Sequence, residues 1–493
     1  MKSNRNAKIV SPKGKVIDDS MVRKFARHLL GKVLQPGEER YEAARRVWNG
    51  MINPRCPAII VRCATAADVA RSVEFAGGNE IAVAVRGGGH SLTGDSFCDG
   101  GIVIDLSGMK KIEIDSTRCV ARTDAGLTVG DFDLATNGFR LAGVMGECSS
   151  VGIGGFTLGG GLGRLMGRYG AACDNLISAE LIVANGKLLR VSADENEDLF
   201  WAIRGGGGNY GIATSFEYRL HHIDKVLSGT LMYPVSDTRE VLTFLDEFMM
   251  SIPGELDIAI DIGNCGMMTY APGITMPVIN LAISFCGNIK KGEAALRPLR
   301  RFRQPLADKI RVMPYYESQG LADVRPLTDF VSTGGSVAIE GGFIKRIGSE
   351  AINAIVAFVG EAPKLYWISA EHYLHGAICR RSSDHTAFAL RRPGYCSRVF
   401  SAWREPAQAD IATAWVKRVS ATLEPFSGGS MYLNYLTQST GDNGVEAAYG
   451  PNLEHLASLK SKYDPTNFFN SNRNIQPVRH PRPSSRIGQM NPV

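Results

Sequence analysis

The chain has 493 residues, a formal net charge of +6, 44% hydrophobic and 21% charged residues. That length exceeds one ordinary core, so two domains, with room for a third, are expected, and the balance is that of a soluble globular protein. The mild basic excess is not gathered into a stripe, which suits an anionic ligand and argues against nucleic acid. No apolar run reaches transmembrane length, so no membrane is expected. Ten cysteines without a C-x-x-C give no zinc ribbon, thioredoxin motif or haem attachment, and no metal is expected. The basic start "MKSNRNAKIVSPKGKVIDD" has no apolar core behind it, so no secretory signal is read and a reduced, cytoplasmic setting is expected.

The first fifty residues read as a helical lead-in, with "MVRKFARHLL" and "ERYEAARRVWNG" at helical spacing. From Pro57, "AIIVRC" predicts a strand, "ATAADVARSVEFAGGNE" a helix opening near Thr65 and closing at Gly77 and Gly78, and "IAVAVRG" a buried strand. "GIVIDL", "KIEID" and "CVARTDAG" predict strands, and "LTVGDFDLATNGF" a helix. "ISAELIVANGKLLRVSA" predicts a hairpin with a two-residue type I′ turn at Asn185 and Gly186. "ENEDLFWAIRGGGGNYGIATSFEYRL" predicts a short helix, a glycine loop and a strand. Beyond about Leu220 the glycine clusters thin out. Strands such as "PVINLAISFC" and "KLYWISAEHYLHGAIC" alternate with helices such as "TREVLTFLDEFMM" and "SEAINAIVAFVG", predicting an antiparallel sheet with helices on one face. "MYLNYLTQ" predicts a strand, "PNLEHLASLKSKYDPTNFFNSNRNIQP" a helix and an extended tail, and the Pro, Arg and Ser-rich residues from Val478 a disordered end. The fold class is α+β.

Three glycine clusters lie in the first half. "VRGGGHSLTGDS" leads three glycines into His90, "GECSSVGIGGFTLGGGLG" surrounds Cys148, and a third cluster occupies residues 205–211. Glycine lets backbone N–H groups approach an anion without a Cβ in the way, so the clusters point to a bound nucleotide more than to turns. The G-x-G-x-x-G match at residues 206–211 follows a helix and precedes a strand, the reverse of the Rossmann context, and no P-loop pattern exists. Taken singly, His90 reads as a capping histidine and Cys148 as a small buried hydrophobe. At the edges of glycine clusters, they read as a reactive pair gripping a cofactor.

These motifs resemble those of the berberine-bridge-enzyme-like oxidases in the vanillyl-alcohol-oxidase flavoprotein superfamily. "RGGGHS" resembles the loop whose histidine bonds to the flavin 8α-methyl carbon, and "GECSSVGIGGFTLGGGLG" the loop whose cysteine bonds to flavin C6. "DLFWAIRGGGGNYGIAT" resembles the signature near the adenine end, while "MYLNY" and "KSKYDPTNFFNSNRNIQP" resemble the C-terminal motif. The likeness runs from about Pro57 to Pro477 and is loose over 226–425. It implies a two-part PCMH-type FAD-binding domain at 1–225 with its core at about 55–225, a substrate domain at 226–430, and a C-terminal segment at 431–493 that returns to the first. It implies FAD attached through both His90 and Cys148. It also implies flavin contacts from Arg86, Gly87, Gly88, Gly89, Ser91, Val151, Gly152, Gly155, Gly159, Gly160, Gly161, Gly163, Asn175, Gly211, Ile212 and Asn434.

Flavin oxidation of an alcohol needs a base for the hydroxyl proton and a carbinol C–H aimed at flavin N5. Tyr432 and Tyr435, flanking Asn434, are the candidate bases by the same resemblance, and each is also readable as a core aromatic. Two positions depart from the family. Leu92 stands where many relatives carry a tyrosine, and Leu390 replaces a histidine in "TAFALRRPGY", where Arg391 is kept. Glu371, His372 and His375 fall on a strand that can face substrate, though each also reads as a core or surface residue. Val151 stands at the family position that is valine in enzymes reoxidised by dioxygen. The implied activity is oxidation of an alcohol or hemiacetal carbon of a sugar, oligosaccharide or secondary metabolite, with O₂ reduced to H₂O₂. C–N oxidation of an alkaloid-type amine, a dehydrogenase with another acceptor and a flavin-carrying storage protein are the competing readings. The expected partners are a small-molecule substrate and O₂, in a monomer or homodimer.

Overall fold

Thr65 starts the first crossover: its side chain accepts from the N–H of Asp68 and opens the helix Ala66–Asn79. That helix joins the strands Ile59–Arg62 and Val83–Arg86, which both pair in parallel with Ile102–Asp105. Lys32–Leu34 adds an antiparallel edge. In the computed structural model, which describes residues 9–10, 16–48, 55–264, 276–321, 323 and 325–478, this small sheet packs beside a second, five-stranded antiparallel one. The second sheet is built from Ile112–Asp115, Val120–Asp124, Leu176–Ile182, Leu188–Ser192 and Ile212–Arg219. Val61, Val73, Ile104, Phe132, Leu181 and Phe216 share one core between the two sheets. The α+β expectation holds.

Two local expectations are corrected. The hairpin at Asn185 is not a two-residue type I′ turn. Gly186 is left-handed (φ +79°) while Asn185 is not, and the Val183 N–H donates to the Lys187 carbonyl across a three-residue loop. "MYLNYLTQ" is not a strand: Leu433–Tyr435 forms a 3₁₀ turn, in which the Tyr435 N–H donates to the Tyr432 carbonyl at 2.9 Å. In such a turn residues three apart eclipse, so Tyr432 and Tyr435 end on one side. The C-terminal residues expected to be disordered lie, beyond Val478, outside the described residues.

The largest sheet has eight strands and uses Lys225–Pro234, Leu256–Gly263, Val278–Phe285, Ser336–Ile344, Tyr366–Leu374 and Gly394–Trp403 as its long members. Strand alternation gives it two unlike faces. Ile258, Ile260, Leu281, Ile283, Ile368 and Val399 form an apolar face, packed under the helices Thr238–Phe248, Ile289–Phe302, Ser349–Gly360 and Ala409–Leu423. The other face is mixed, with Val337, Ile339, Trp367, Phe400 and Ala402 packed together on it beside a polar region. Paired rows bring together Ser228, Ser284 and Asp257, then Asn280, Asp261, Ser369 and Arg398. The chain then returns: Leu433, Leu436, Tyr449, Leu456, Phe469 and Ile475 join the first core. Among the described residues, no helix is long and apolar enough to cross a membrane.

Candidate active site

The two glycine loops meet backbone to backbone. A Cβ on Gly88 would run into the backbone of Gly152, and one on Gly152 into Gly88. Only glycine permits that approach, and it brings His90 to Cys148. The Ser150 hydroxyl lies 2.9 Å from His90 Nε2 and 3.4 Å from Cys148 Sγ, so one oxygen touches both reactive residues. Trp48 stacks on His90 at 5.7 Å between ring centroids. Burial pushes His90 down to about 4, helped by the positive charges of Arg398 and Arg86, so the imidazole is neutral near pH 7. Burial raises the Cys148 thiol, and the Ser150 hydrogen bond opposes the rise.

Above this junction lies a cavity of about 390 Å³ between the glycine loops and the mixed face of the large sheet. Gly87, Gly88, Gly89, His90, Ser91, Cys148, Val151, Gly152, Gly155, Gly211 and Ile212 line it, as do Tyr432, Asn434 and Tyr435. Others of the expected flavin contacts do not reach it. Arg86 is turned away, donating to the Ala44 carbonyl and lying over the Phe97 ring. Gly159, Gly160, Gly161 and Gly163 are packing glycines: a Cβ there would strike Asn434, Phe388, Ala172 and the Met145 carbonyl respectively. Asn175 braces its own loop, donating to the carbonyls of Tyr169 (3.1 Å) and Ala171 (2.9 Å) and accepting from His221.

The opposite wall was less legible. The strand Tyr366–Leu374 carries a β-bulge between Ala370 and His372, which turns both Glu371 and His372 toward the cavity. Glu371 pairs there with Arg398 and accepts the Tyr435 hydroxyl. Arg398 also lies over the Tyr435 ring, 4.7 Å from its centroid. Burial raises the Tyr435 phenol and the Arg398 charge opposes that rise. Tyr432 differs: it too is raised by burial, but its hydroxyl accepts from Asn434 Nδ2 at 2.9 Å, and the same amide donates to the Phe156 carbonyl. Tyr432 and Asn434 therefore fix the turn to the glycine loop, and Tyr435 carries the carboxylate contact.

Sequence reasoning missed Arg398, Asp261, Trp367, Phe400, Glu147, Asn472 and Arg473, all of which line the cavity. The one available signal was Arg398, the only charged residue in the strand "GYCSRVFSAW". Leu92 lines the cavity; Leu390 is in the core, and Arg391 is a structural residue held bidentate by Asp174 at 2.6 and 2.8 Å. His372 lines the cavity, whereas His375 is buried against Gly167.

A sequence model of the FAD binding domain matches residues 57–192, and one described as berberine and berberine like matches residues 431–476. An FAD-linked oxidoreductase of Dictyostelium discoideum is 31% identical over 468 residues, covering 93% of this chain and 98% of the relative. The chain belongs to the berberine-bridge-enzyme-like FAD-linked oxidoreductases. The crystal structure of 6-hydroxy-D-nicotine oxidase from Arthrobacter nicotinovorans superposes with a TM-score of 0.79 at 27% identity, over 91% of this chain and 98% of that one. Glucooligosaccharide oxidase from Acremonium strictum, whose FAD is 6-S-cysteinyl and 8α-N1-histidyl, shares the fold with a TM-score of 0.79 at 22% identity, over 91% of this chain and 98% of that one.

The protein is thus an FAD-dependent oxidoreductase, and its residues fit that cofactor. Gly87, Gly155 and Gly208 line the cavity, and a Cβ on any of them would meet no atom within 4 Å. The glycine loops of this berberine-bridge-like fold therefore leave open the space that a side chain would take. Asn472 lines the same cavity with its side-chain amide oxygen buried and without a partner among the described residues.

Proposed function

We propose that the protein is an oxidase carrying FAD bonded to both His90 and Cys148, and that it oxidises an alcohol or hemiacetal carbon of a sugar, oligosaccharide or secondary metabolite, reducing dioxygen to hydrogen peroxide. The observation that carries this reading is the Tyr435 hydroxyl resting on Glu371 beside Arg398, in the cavity. Bound FAD supplies the hydride acceptor. The substrate hydroxyl is held at the Tyr435 oxygen. As that oxygen takes the substrate proton, its own proton moves onto Glu371, so no buried phenolate has to persist. Arg398 pairs with Glu371 and holds it against the Tyr435 hydroxyl. The apolar wall of Leu327, Trp367 and Phe400 excludes water from the reacting carbon.

Attachment at two points is supported by the shared Ser150 contact and by the doubly linked flavin of the fold neighbour from Acremonium strictum. Dioxygen as the acceptor is supported by Val151, a small side chain on the cavity wall three residues after Cys148. The substrate half is read as residues 226–430, whose mixed sheet face supplies the wall opposite the loops.

One observation favours amine oxidation as a second reading. Glu147, Asp261 and Glu371 line the cavity with Arg398, carboxylates that can face a cationic substrate although Arg164 pairs with Glu147 and Arg398 with Glu371, and the relative from Arthrobacter nicotinovorans is a nicotine oxidase. Screening sugars, alcohols and amines for peroxide release separates the two. Turnover of sugars or alcohols supports the main reading; turnover confined to amines replaces it.

A further inference from the structure

We propose that Ser150 relays the thiol proton of Cys148 to Nε2 of His90 while the cysteinyl bond to FAD forms. The inference rests on the two-point attachment proposed above.

A buried thiol is a poor nucleophile, because the reactive species is the thiolate. Burial holds the Cys148 proton on, so something in the protein must take it as sulfur attacks. Among the described residues, the hydroxyl bonded to Cys148 Sγ is that of Ser150, at 3.4 Å, and the same hydroxyl sits 2.9 Å from His90 Nε2. A serine hydroxyl donates one hydrogen and accepts another, so it can accept from the thiol as it gives to the imidazole. His90, neutral near pH 7, has a lone pair to receive the proton, and its lowered proton affinity lets it pass that proton on. With Nε2 turned to Ser150, Nδ1 is the nitrogen left to bond the 8α carbon. A bond at Nδ1 leaves the Nε2 lone pair in place, so the histidyl link does not consume the base that the second link requires.

The charges around the pair act on both ends of the relay. Arg398, on the strand Gly394–Trp403, lowers the thiol, favouring its nucleophilic form, and lowers the imidazole as well, so the proton is passed on from His90 and not kept there. Arg86 acts on His90 in the same sense, and Asp323 opposes ionisation of Cys148. The loop is held still. The Val151 N–H donates to the Cys148 carbonyl at 3.1 Å, and the Trp48 N–H donates to the Gly89 carbonyl behind the histidine. The two adjacent serines have separate contacts: Ser149 donates to Asp323 at 2.5 Å, while Ser150 faces the reactive pair.

The step balances as an oxidation. A thiol S–H and a ring C–H are replaced by a C–S bond, and dioxygen takes up the two electrons and two protons as hydrogen peroxide. The relay moves the first of those protons and His90 then releases it.

The test expresses wild type, Ser150→Ala, Ser150→Thr and Ser149→Ala and follows the fraction of doubly linked flavin by mass spectrometry of denatured, trypsin-cut protein during aerobic incubation between pH 7 and 10. Wild type, Ser150→Thr and Ser149→Ala are expected doubly linked. Ser150→Ala is expected to retain its flavin on His90 and to form the cysteinyl link about a hundredfold more slowly at pH 7. Raising the pH should recover that rate, because an ionised thiol needs no relay; a packing defect would not recover. A Ser150→Ala variant that links Cys148 as fast as wild type overturns the relay, as does a slow variant that pH does not rescue. A wild type linked through His90 alone overturns the two-point reading and the relay with it.

Discussion

The cavity has one wall of loops and one wall of strands, and the two do different work. The loop wall owes its geometry to missing side chains. Gly88 and Gly152 let two backbones touch, and His90, Cys148 and Ser150 gather at the junction. The strand wall owes its geometry to side chains fixed by pairing. Ser369 sits across from Arg398, Glu371 follows it on the same face, and the bulge adds His372, which the regular alternation would have turned under the helices. Close approach of a cofactor calls for backbone freedom, whereas proton handling calls for charges that cannot wander. The large sheet has two unlike sides of its own, with Ile and Leu on its helix side and Ser, Asn, Asp and Arg beside Trp367 and Phe400 on its cavity side.

The most damaging way to break the loop wall is Gly88→Ala. Its new methyl would meet the Gly152 backbone, which has no flexible end to move aside. Flavin content of the purified variant, read from the visible spectrum, is expected to fall to a small fraction of wild type while the strand wall stays folded.

The strand wall is broken by Tyr435→Phe or Glu371→Gln. Each removes one end of the hydroxyl-to-carboxylate contact, and loss of general-base help costs about two to four orders of magnitude. Anaerobic flavin reduction by substrate should slow by that range, with substrate binding little changed. Tyr432→Phe should slow it less, since that phenol accepts from Asn434 and holds the turn. If both Tyr435→Phe and Glu371→Gln reduce at wild-type rates, the amine reading gains the ground.

The two walls were unequally visible in the sequence. Glycine clusters, His90 and Cys148 are contiguous in the chain, so local reading found them. The strand wall depends on register. Nothing local in "YWISAEHYL" marks the bulge that sets His372 beside Glu371 on the cavity face or the pairing that brings Glu371 to Arg398, and Ser150 gains its meaning only when the two loops meet. The errors have the same source. Gly159, Gly160, Gly161 and Gly163 look like cradle residues but admit neighbouring side chains and backbone, and Asn175 is spent on its own loop. Alternation in "MYLNY" suggests a strand, yet the i to i+3 bond makes it a 3₁₀ turn.

A smaller effect is expected where the loop wall controls access. Val151→Leu should slow reoxidation of reduced flavin by air several-fold and leave anaerobic reduction by substrate unchanged, as stopped-flow absorbance would show. An unchanged oxygen rate removes Val151 as the gate.

A pH effect on stability lies away from the chemistry. Burial depresses His375 from 6.5 to about 4, so the unfolded chain binds its proton at a higher pH than the folded one. Its contribution to stability is complete above pH 6.5 and is lost as pH falls toward 4, amounting to about 3 kcal/mol by then. Thermal unfolding of His375→Gln should therefore lose less stability than wild type between pH 6.5 and 4.

The central claim is that the loop junction grips one flavin at two residues. Acid-precipitated, trypsin-cut wild-type protein tests it directly by mass spectrometry. The expected result is a yellow pellet and a single flavopeptide species that joins the His90 segment to the Cys148 segment. Full release of flavin into the acid supernatant would contradict it.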